Sequence, residues 1–270
     1  MNRSRPRVHP RVRAFDRSAE AYERGRPGYP KAAIDFLARE LGIGPGRTVV
    51  ELGSGTGKLT RPLQATGAAI VAVEPTDGMR RVFRRALPTT LVLDGTAEAI
   101  PLPEAFADAV VAAQAFQWFR TGPALREIDR VLRPGGAIGL LWNVRLPSTR
   151  LARAINDLHA RYEAALPPWA RNRWGRRWKR ALEGRPYGFG PPRPVAFPHR
   201  HLASRADLVQ STLSESAIAL RPPETRRRVA AELRAILTAA SPGPAEGRVG
   251  VPYRTDVYVL RRLRRPSASP

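Results

Sequence analysis

The residues best placed to do chemistry form a run of alternating glycines, Glu51-Leu52-Gly53-Ser54-Gly55-Thr56-Gly57, directly after an apolar, β-branched stretch. Glycine at every second position lets the backbone turn tightly and approach a ligand with no Cβ in the way. A helix opening just after such a loop points its N-terminus at the ligand and favours a carboxylate or phosphate. Two familiar phosphate loops do not fit. A Walker A loop needs a glycine five residues before the glycine of its Gly-Lys pair, and a hydroxyl residue after the lysine. Around Gly57-Lys58 those positions hold Leu52 and Leu59. A dinucleotide GxGxxG needs glycine at 58 or 60 and meets Lys58 and Thr60. For the loop taken alone, a plain glycine-rich βα turn stays open as an alternative. Two further positions favour a nucleoside. Glu74 closes the next apolar run, where a carboxylate can accept ribose hydroxyls. Thr96, Ala97 and Glu98 follow the third run, where an adenine edge would lie in such a fold.

These positions need a scaffold, and the hydropathy pattern predicts one. Ile34, Leu37, Ala38 and Leu41 recur at helical spacing over 31–41, and Gly42 stops that helix. Strands are expected at 47–52, 69–74, 89–94, 107–113 and 137–142. Helices are expected at 58–65, 77–86 and 124–132, with Pro62 in a first turn, Asp77 as N-cap and a turn at Pro134-Gly135-Gly136. Apolar strands alternating with helices imply an α/β fold with a doubly wound, Rossmann-like sheet, which binds ligands at the carboxyl ends of its strands. After residue 145 the alternation breaks. Helices are expected at 151–166 and within 222–240, a late strand at 251–263 and a disordered tail at 264–270. The division expected is an arm at 1–30, a core at 31–145, a helical and basic segment at 146–250, then the strand and the tail.

Charge and composition narrow the function. The 270 residues carry 46 Lys+Arg against 23 Asp+Glu, a net +23, and only Lys31, Lys58 and Lys179 are lysines. Arginine binds phosphate bidentately, so the excess suits nucleic acid, and it equally suits a coding bias toward arginine. The excess is uneven: +5 over 1–30, +2 over 31–140 and +16 over 141–270. The stretch 169–180, WARNRWGRRWKR, has residues that stack bases and hold phosphates, and it reads more simply as an amphipathic cover with solvated arginines. There is no cysteine, and the four histidines form no HExxH pair, so no metal site is expected. No apolar run approaches 18 residues, and the N-terminus lacks the apolar core of a secretory signal. A cytoplasmic protein with no membrane partner is expected.

Beyond spacing, the sequence resembles the type 11 class I S-adenosylmethionine-dependent methyltransferases, akin to the ubiquinone-biosynthesis and trans-aconitate methyltransferase group. The segments that carry the likeness are Phe15-Asp16, Ala21-Tyr22 and Arg26-Pro27-Gly28-Tyr29-Pro30, VVELGSGTGKLT at 49–60, VAVEPTDGM at 71–79, GTAEAIPLPEAFADAVV at 95–111, QAFQWF at 114–119, LRPGG at 132–136, LLWNVR at 140–145 and PYRTDVYVLRR at 252–262. The resemblance implies a seven-stranded sheet, mostly parallel, with an antiparallel last strand, and S-adenosylmethionine as cofactor. It implies that Gly53, Ser54, Gly55 and Gly57 line the methionine part, that Glu51 orders the loop and faces the ammonium, and that Glu74 holds the ribose. Pro75 and Met79 would pack near the adenine, and Thr96, Ala97 and Glu98 would meet its edge; many relatives carry aspartate where Thr96 stands. Tyr22 and Arg26 would close over the methionine end.

Gln114, Gln117, Trp118, Trp142 and Asn143 fall at the ends of the fourth and fifth strands and are the candidates for positioning an acceptor. Glutamine and asparagine orient groups but do not abstract protons at neutral pH, so no general base is evident. For Trp118 and Trp142, ordinary core packing is the competing reading. Methyl transfer to a small molecule is the first reading. An RNA methyltransferase and a non-catalytic nucleic-acid binder of the same fold are the alternatives.

Overall fold

The computed structural model describes residues 12–166, 188–189, 193–240 and 247–261. The basic stretch 169–180 and the tail 264–270 lie outside them. The described chain builds one seven-stranded sheet in the order β3-β2-β1-β4-β5-β7-β6. Its first half is the expected alternation: α2 (Lys31–Leu41), β1 (Thr48–Leu52), α3 (Thr60–Gln64), β2 (Ala69–Val73), α4 (Asp77–Ala86), β3 (Leu91–Leu93), β4 (Ala107–Ala113), α5 (Thr121–Val131) and β5 (Leu132–Arg145). These five strands pair in parallel, while β7 (Arg248–Arg261) runs antiparallel to both β5 and β6 (Arg193–Ser204).

Residues alternate between two cores, as the pleat requires. Val50, Val110 and Leu140 face one side with Leu125 and Ile128 of α5. Val49, Val111 and Leu141 face the other with Ile34, Leu37 and Leu41 of α2. All six strand residues are fully buried. The chain leaves β1 toward β2 and β3 on one side, then crosses back to β4 and leaves it toward β5 on the other, so the crevice at the ends of β1 and β4 is the switch point where such sheets hold ligands.

The second half departs from the sequence expectation in two places. The segment 146–250 is not only helical, because β6 crosses it and forms the sheet edge. Pro194 and Pro198 within β6 hide the strand signal, and proline is tolerated there because one side of an edge strand needs no N–H donor. Pro134-Gly135-Gly136 is a bulge within β5 rather than a turn ahead of it. Leu132 pairs with Ala107 and Ala137 with Ala109, so five steps along one strand face two along the other.

A third core fills the space over β6 and β7. It joins Leu151, Ile155 and Leu158 of α6 (Arg150–Ala164), Leu208 of α7 (Arg205–Leu213) and Leu233 and Leu237 of α9 (Pro223–Ala240) to Val251 and Tyr253 of β7. The short α8 (Ser216–Ala219) links α7 to α9. The N-terminal arm forms α1 (Arg13–Gly25), which packs on α4 and α7 and so spans the two halves. Among the described residues, no helix is long and apolar enough to cross a membrane.

Candidate active site

The loop after β1 takes the shape its glycines permit. Gly53, Gly55 and Gly57 all adopt left-handed backbone, with φ of 66°, 57° and 87°. Their surroundings differ. A Cβ on Gly55 would meet open space, whereas one on Gly57 would lie 2.5 Å from Leu87 and 3.0 Å from Phe83. Gly57 thus seats the loop against α4 and does not line the cavity beside it, unlike the role the sequence suggests.

Glu74 ties the loop to β2. Its Oε2 accepts the Gly55 N–H at 2.9 Å, and its Oε1 accepts the Thr76 N–H at 2.9 Å and the Thr76 hydroxyl at 2.7 Å. Burial raises the Glu74 pKa, and the Thr76 and Gly55 hydrogen bonds and the Arg80 charge oppose that. Glu51 lies behind the loop, 1% exposed, and accepts the Thr60 hydroxyl at 2.5 Å. Burial pushes its pKa up to about 8; the Thr60 bond opposes the rise and the Glu74 charge adds to it. Its carboxyl is therefore turned to α3 and is off the cavity wall.

α1 roofs the loop and is fastened to it by polar contacts. Asp16 accepts the Gly78 N–H at the start of α4. A Cβ on Gly78 would collide with the Asp16 carbonyl, so only glycine allows this approach. Glu23 accepts the Thr56 hydroxyl at 2.6 Å and pairs with Arg61 at 3.0 Å, and its carbonyl accepts from Lys58 at 2.6 Å.

Beneath this roof lies a cavity of about 780 Å³. Ten of the candidate cofactor residues line it: Tyr22, Gly53, Ser54, Gly55, Glu74, Pro75, Met79, Thr96, Ala97 and Glu98. Gln114 and Trp118 join them. Three buried wall atoms, Ser54 Oγ, Thr96 Oγ1 and Gln114 Oε1, have no hydrogen-bond partner among the described residues. Such atoms cost stability unless a ligand or water meets them. Gln114 also has φ 54°, rare for a residue with a Cβ, at the end of β4.

A second cavity of about 750 Å³ adjoins the first and shares Phe15, Tyr22, Tyr29, Gln114 and Trp118 with it. Gln117 and Asn143 are on its wall. Trp142 is not on either wall: it is buried, edge-on to Tyr258 at 5.4 Å, and donates to Gln117 Oε1 at 2.9 Å. It positions Gln117 from within the core. Asn143 donates to the Gly28 carbonyl at 2.9 Å and accepts from Thr255 at 2.6 Å, which holds the arm against β5 and β7. Arg26 also belongs here rather than at the first cavity; it stacks over Tyr22 at 5.4 Å and stands 3.7 Å from Glu215.

Residues 50–140 match the family model of a methyltransferase domain. An uncharacterised methyltransferase-like protein of Schizosaccharomyces pombe is 34% identical over 223 residues, which are 82% of this chain and 85% of that protein. The chain belongs to the type 11 methyltransferase family. An uncharacterised methyltransferase of Mycobacterium tuberculosis is 46% identical over 148 residues, 55% of this chain. The chain thus spans 59% of the length of that mycobacterial relative. A solved structure from Anaeromyxobacter dehalogenans, described as a type II methyltransferase, superposes with a TM-score of 0.64 at 25% identity, over 89% of this chain and 99% of that one.

The second cavity also holds a charged cluster that no sequence motif announces. Glu215, in the turn before α8, accepts from His159 of α6 at 2.7 Å and from Arg145 of β5 at 3.2 Å. Arg145 also donates to Asn156 and to the Tyr253 hydroxyl, both at 3.1 Å. Burial alone would raise the Glu215 carboxyl. The charges of His159, Arg26 and Arg145 prevail and hold it well below the usual carboxylate range. Arg145 lies 70 positions from Glu215 and 108 from Tyr253, and the set shares no spacing motif. The one local signal is Arg145 at a strand's carboxyl end, the edge of the sheet where ligands gather.

Proposed function

We propose that this chain transfers a methyl group from S-adenosylmethionine to a small-molecule acceptor. The observation that carries the reading is the pair of adjoining cavities at the switch point, the first with three unpartnered polar atoms and the second walled by aromatic rings and charge. The donor set of the first cavity fits a nucleoside with an amino-acid tail. Thr96 Oγ1 and Ala97 would meet the adenine edge, Pro75 and Met79 its faces, and Ser54 Oγ and the Gly53–Gly55 backbone the methionine part. Glu74 would take the ribose. An ionised carboxylate has about four acceptor sites, and three are in use here, so Glu74 has room for one hydroxyl at Oε2 rather than two. When bound, the cofactor supplies an electrophilic methyl on a sulfonium. The protein's part is to align the acceptor with it and exclude water. The roof of α1 and the rings of Phe15, Tyr22, Tyr29 and Trp118 suit a small, enclosed acceptor.

Calorimetry with S-adenosylmethionine is expected to give saturable binding, weakened by about 1–3 kcal/mol in Glu74→Ala. No heat from folded protein would end the reading. Transfer of labelled methyl into a cell extract, split into RNA and metabolite fractions, tests the acceptor. Label in the metabolites supports a small molecule, and label in RNA alone would favour the basic second half as a nucleic-acid surface.

A further inference from the structure

Methyl transfer to a neutral hydroxyl or amine needs somewhere for a proton to go, and the glutamines and asparagine of the acceptor cavity cannot take it. The same cavity holds one imidazole in a defined setting. His159 Nε2 is 2.7 Å from Glu215 Oε2. Glu215 is buried, and Arg145 sits 3.2 Å from its other oxygen, with Arg26 at 3.7 Å. A carboxylate so placed stays ionised and can only accept, so Nε2 carries the hydrogen. The basic nitrogen of His159 is then Nδ1, which has no hydrogen-bond partner among the described residues. The ring is partly exposed, 31%, on the cavity wall. An imidazole oriented by a buried carboxylate, with its ring on the wall of a ligand space and its other nitrogen unpartnered among the described residues, is the arrangement that general bases share across unrelated folds.

We propose that His159 is the general base of this methyltransferase, with Glu215 as its positioning residue, and that the acceptor enters as a neutral hydroxyl or amine rather than a preformed anion. The proposal rests on the methyl-transfer reading above. As the acceptor oxygen or nitrogen bonds to the methyl carbon, the carbon–sulfur bond breaks and its electron pair stays on sulfur. The acceptor's proton passes to His159 Nδ1. The positive charge that leaves the sulfonium reappears on the imidazolium, beside Glu215.

The groups facing His159 agree with this. The Glu215 charge raises its pKa; burial opposes, and Arg145 of β5 lowers it while Glu163, one turn along α6, raises it. Arg26, just past the end of α1, faces the same Glu215 oxygen as Arg145. The two cavity tyrosines do not compete as bases. Burial raises Tyr22, and raises Tyr29 well above its ordinary value, so both keep their protons.

The test uses the full chain in two readouts. In protein labelled at histidine carbons, the His159 resonance, assigned by its loss in His159→Asn, is expected to titrate above the ordinary imidazole range. Its midpoint should drop by about one pH unit in Glu215→Gln. A midpoint that is ordinary and indifferent to Glu215→Gln would overturn the dyad. In the labelled-methyl assay over the metabolite fraction, transfer should rise with pH through the His159 midpoint. His159→Asn should lose on the order of 100-fold or more, with S-adenosylmethionine affinity by calorimetry unchanged. Glu215→Gln, which keeps the imidazole, should move the pH profile toward acid. A His159→Asn protein that binds cofactor and transfers with the parent's rate and pH profile overturns the base. If the parent chain neither binds S-adenosylmethionine nor transfers label, the methyl-transfer reading falls and this proposal with it; a defect confined to the variants is distinct from that outcome.

Discussion

The two cavities treat the same residue type in opposite ways. Beside the first cavity, burial raises Glu51 and Glu74 with no arginine among the described residues in hydrogen-bonding contact with either carboxylate, and backbone and hydroxyl donors hold both in place. In the second cavity, Glu215 is also buried but faces two guanidinium groups, Arg145 and Arg26, and the His159 imidazole, and is kept ionised. The first arrangement is built from backbone and suits a ligand that brings its own positive charge. The second is built from side chains and keeps a local field for a proton to move in. The net charge of the chain, so conspicuous in the composition, bears on neither as directly as these pairings do.

The contrast can be broken from either side. The largest effect is expected from Arg145→Ala, which strips from Glu215 a guanidinium that donates from each of its three nitrogens. Removing one partner of a buried pair costs about 3–5 kcal/mol, to be read by denaturant unfolding. Above the ordinary carboxylate range the loss should be full, and it should shrink as pH falls through the depressed Glu215 value and the carboxyl takes a proton. Glu51 has the reverse sign. Its folded pKa of about 8 exceeds the ordinary 4.5, so its contribution is whole below 4.5 and is lost as pH rises through 8. Glu51→Gln should therefore equal the parent near pH 4.5 and exceed it by on the order of 3 kcal/mol at neutral pH, because each pH step between those two values weighs about 1.36 kcal/mol against the buried acid. Thermal melts across pH 4.5–8.5 would show the two curves diverging; parallel curves would mean that Glu51 ionises freely. The smallest effect of the three is expected from Gly78→Ala. The added Cβ collides with the Asp16 carbonyl and should lift α1 at a cost of about 1–3 kcal/mol. Faster trypsin cleavage within residues 13–25 would report it, and unchanged protection would mean the roof adjusts.

What could be read in advance follows the same divide. The strands from β1 to β5 and the cavity-facing Gly53 and Gly55 were legible because each is local: a buried parallel strand is a short apolar run, and a tight βα turn needs glycine where it occurs. Glu74 was legible because it sits at a fixed place, just past a strand. Gly57 matched the motif for another reason, packing against Leu87 and Phe83. The edge strand β6 was not legible, since its prolines and exposed positions erase the alternation. Trp142 was ambiguous because its indole both packs and donates. The His159–Glu215–Arg145 cluster was hidden for a plainer reason: three parts of the chain meet there through tertiary folding, and no one of them carries a pattern.

The wall common to both cavities has a thermodynamic consequence. Phe15, Tyr22, Tyr29, Gln114 and Trp118 touch whatever fills either space, and two of the five ride on α1. A ligand that settles these rings on one side changes the surface offered on the other. Linkage then requires the coupling to be mutual: the factor by which cofactor alters acceptor affinity is the factor by which acceptor alters cofactor affinity. Screens for acceptors run without cofactor would therefore measure a different protein surface from the one that reacts.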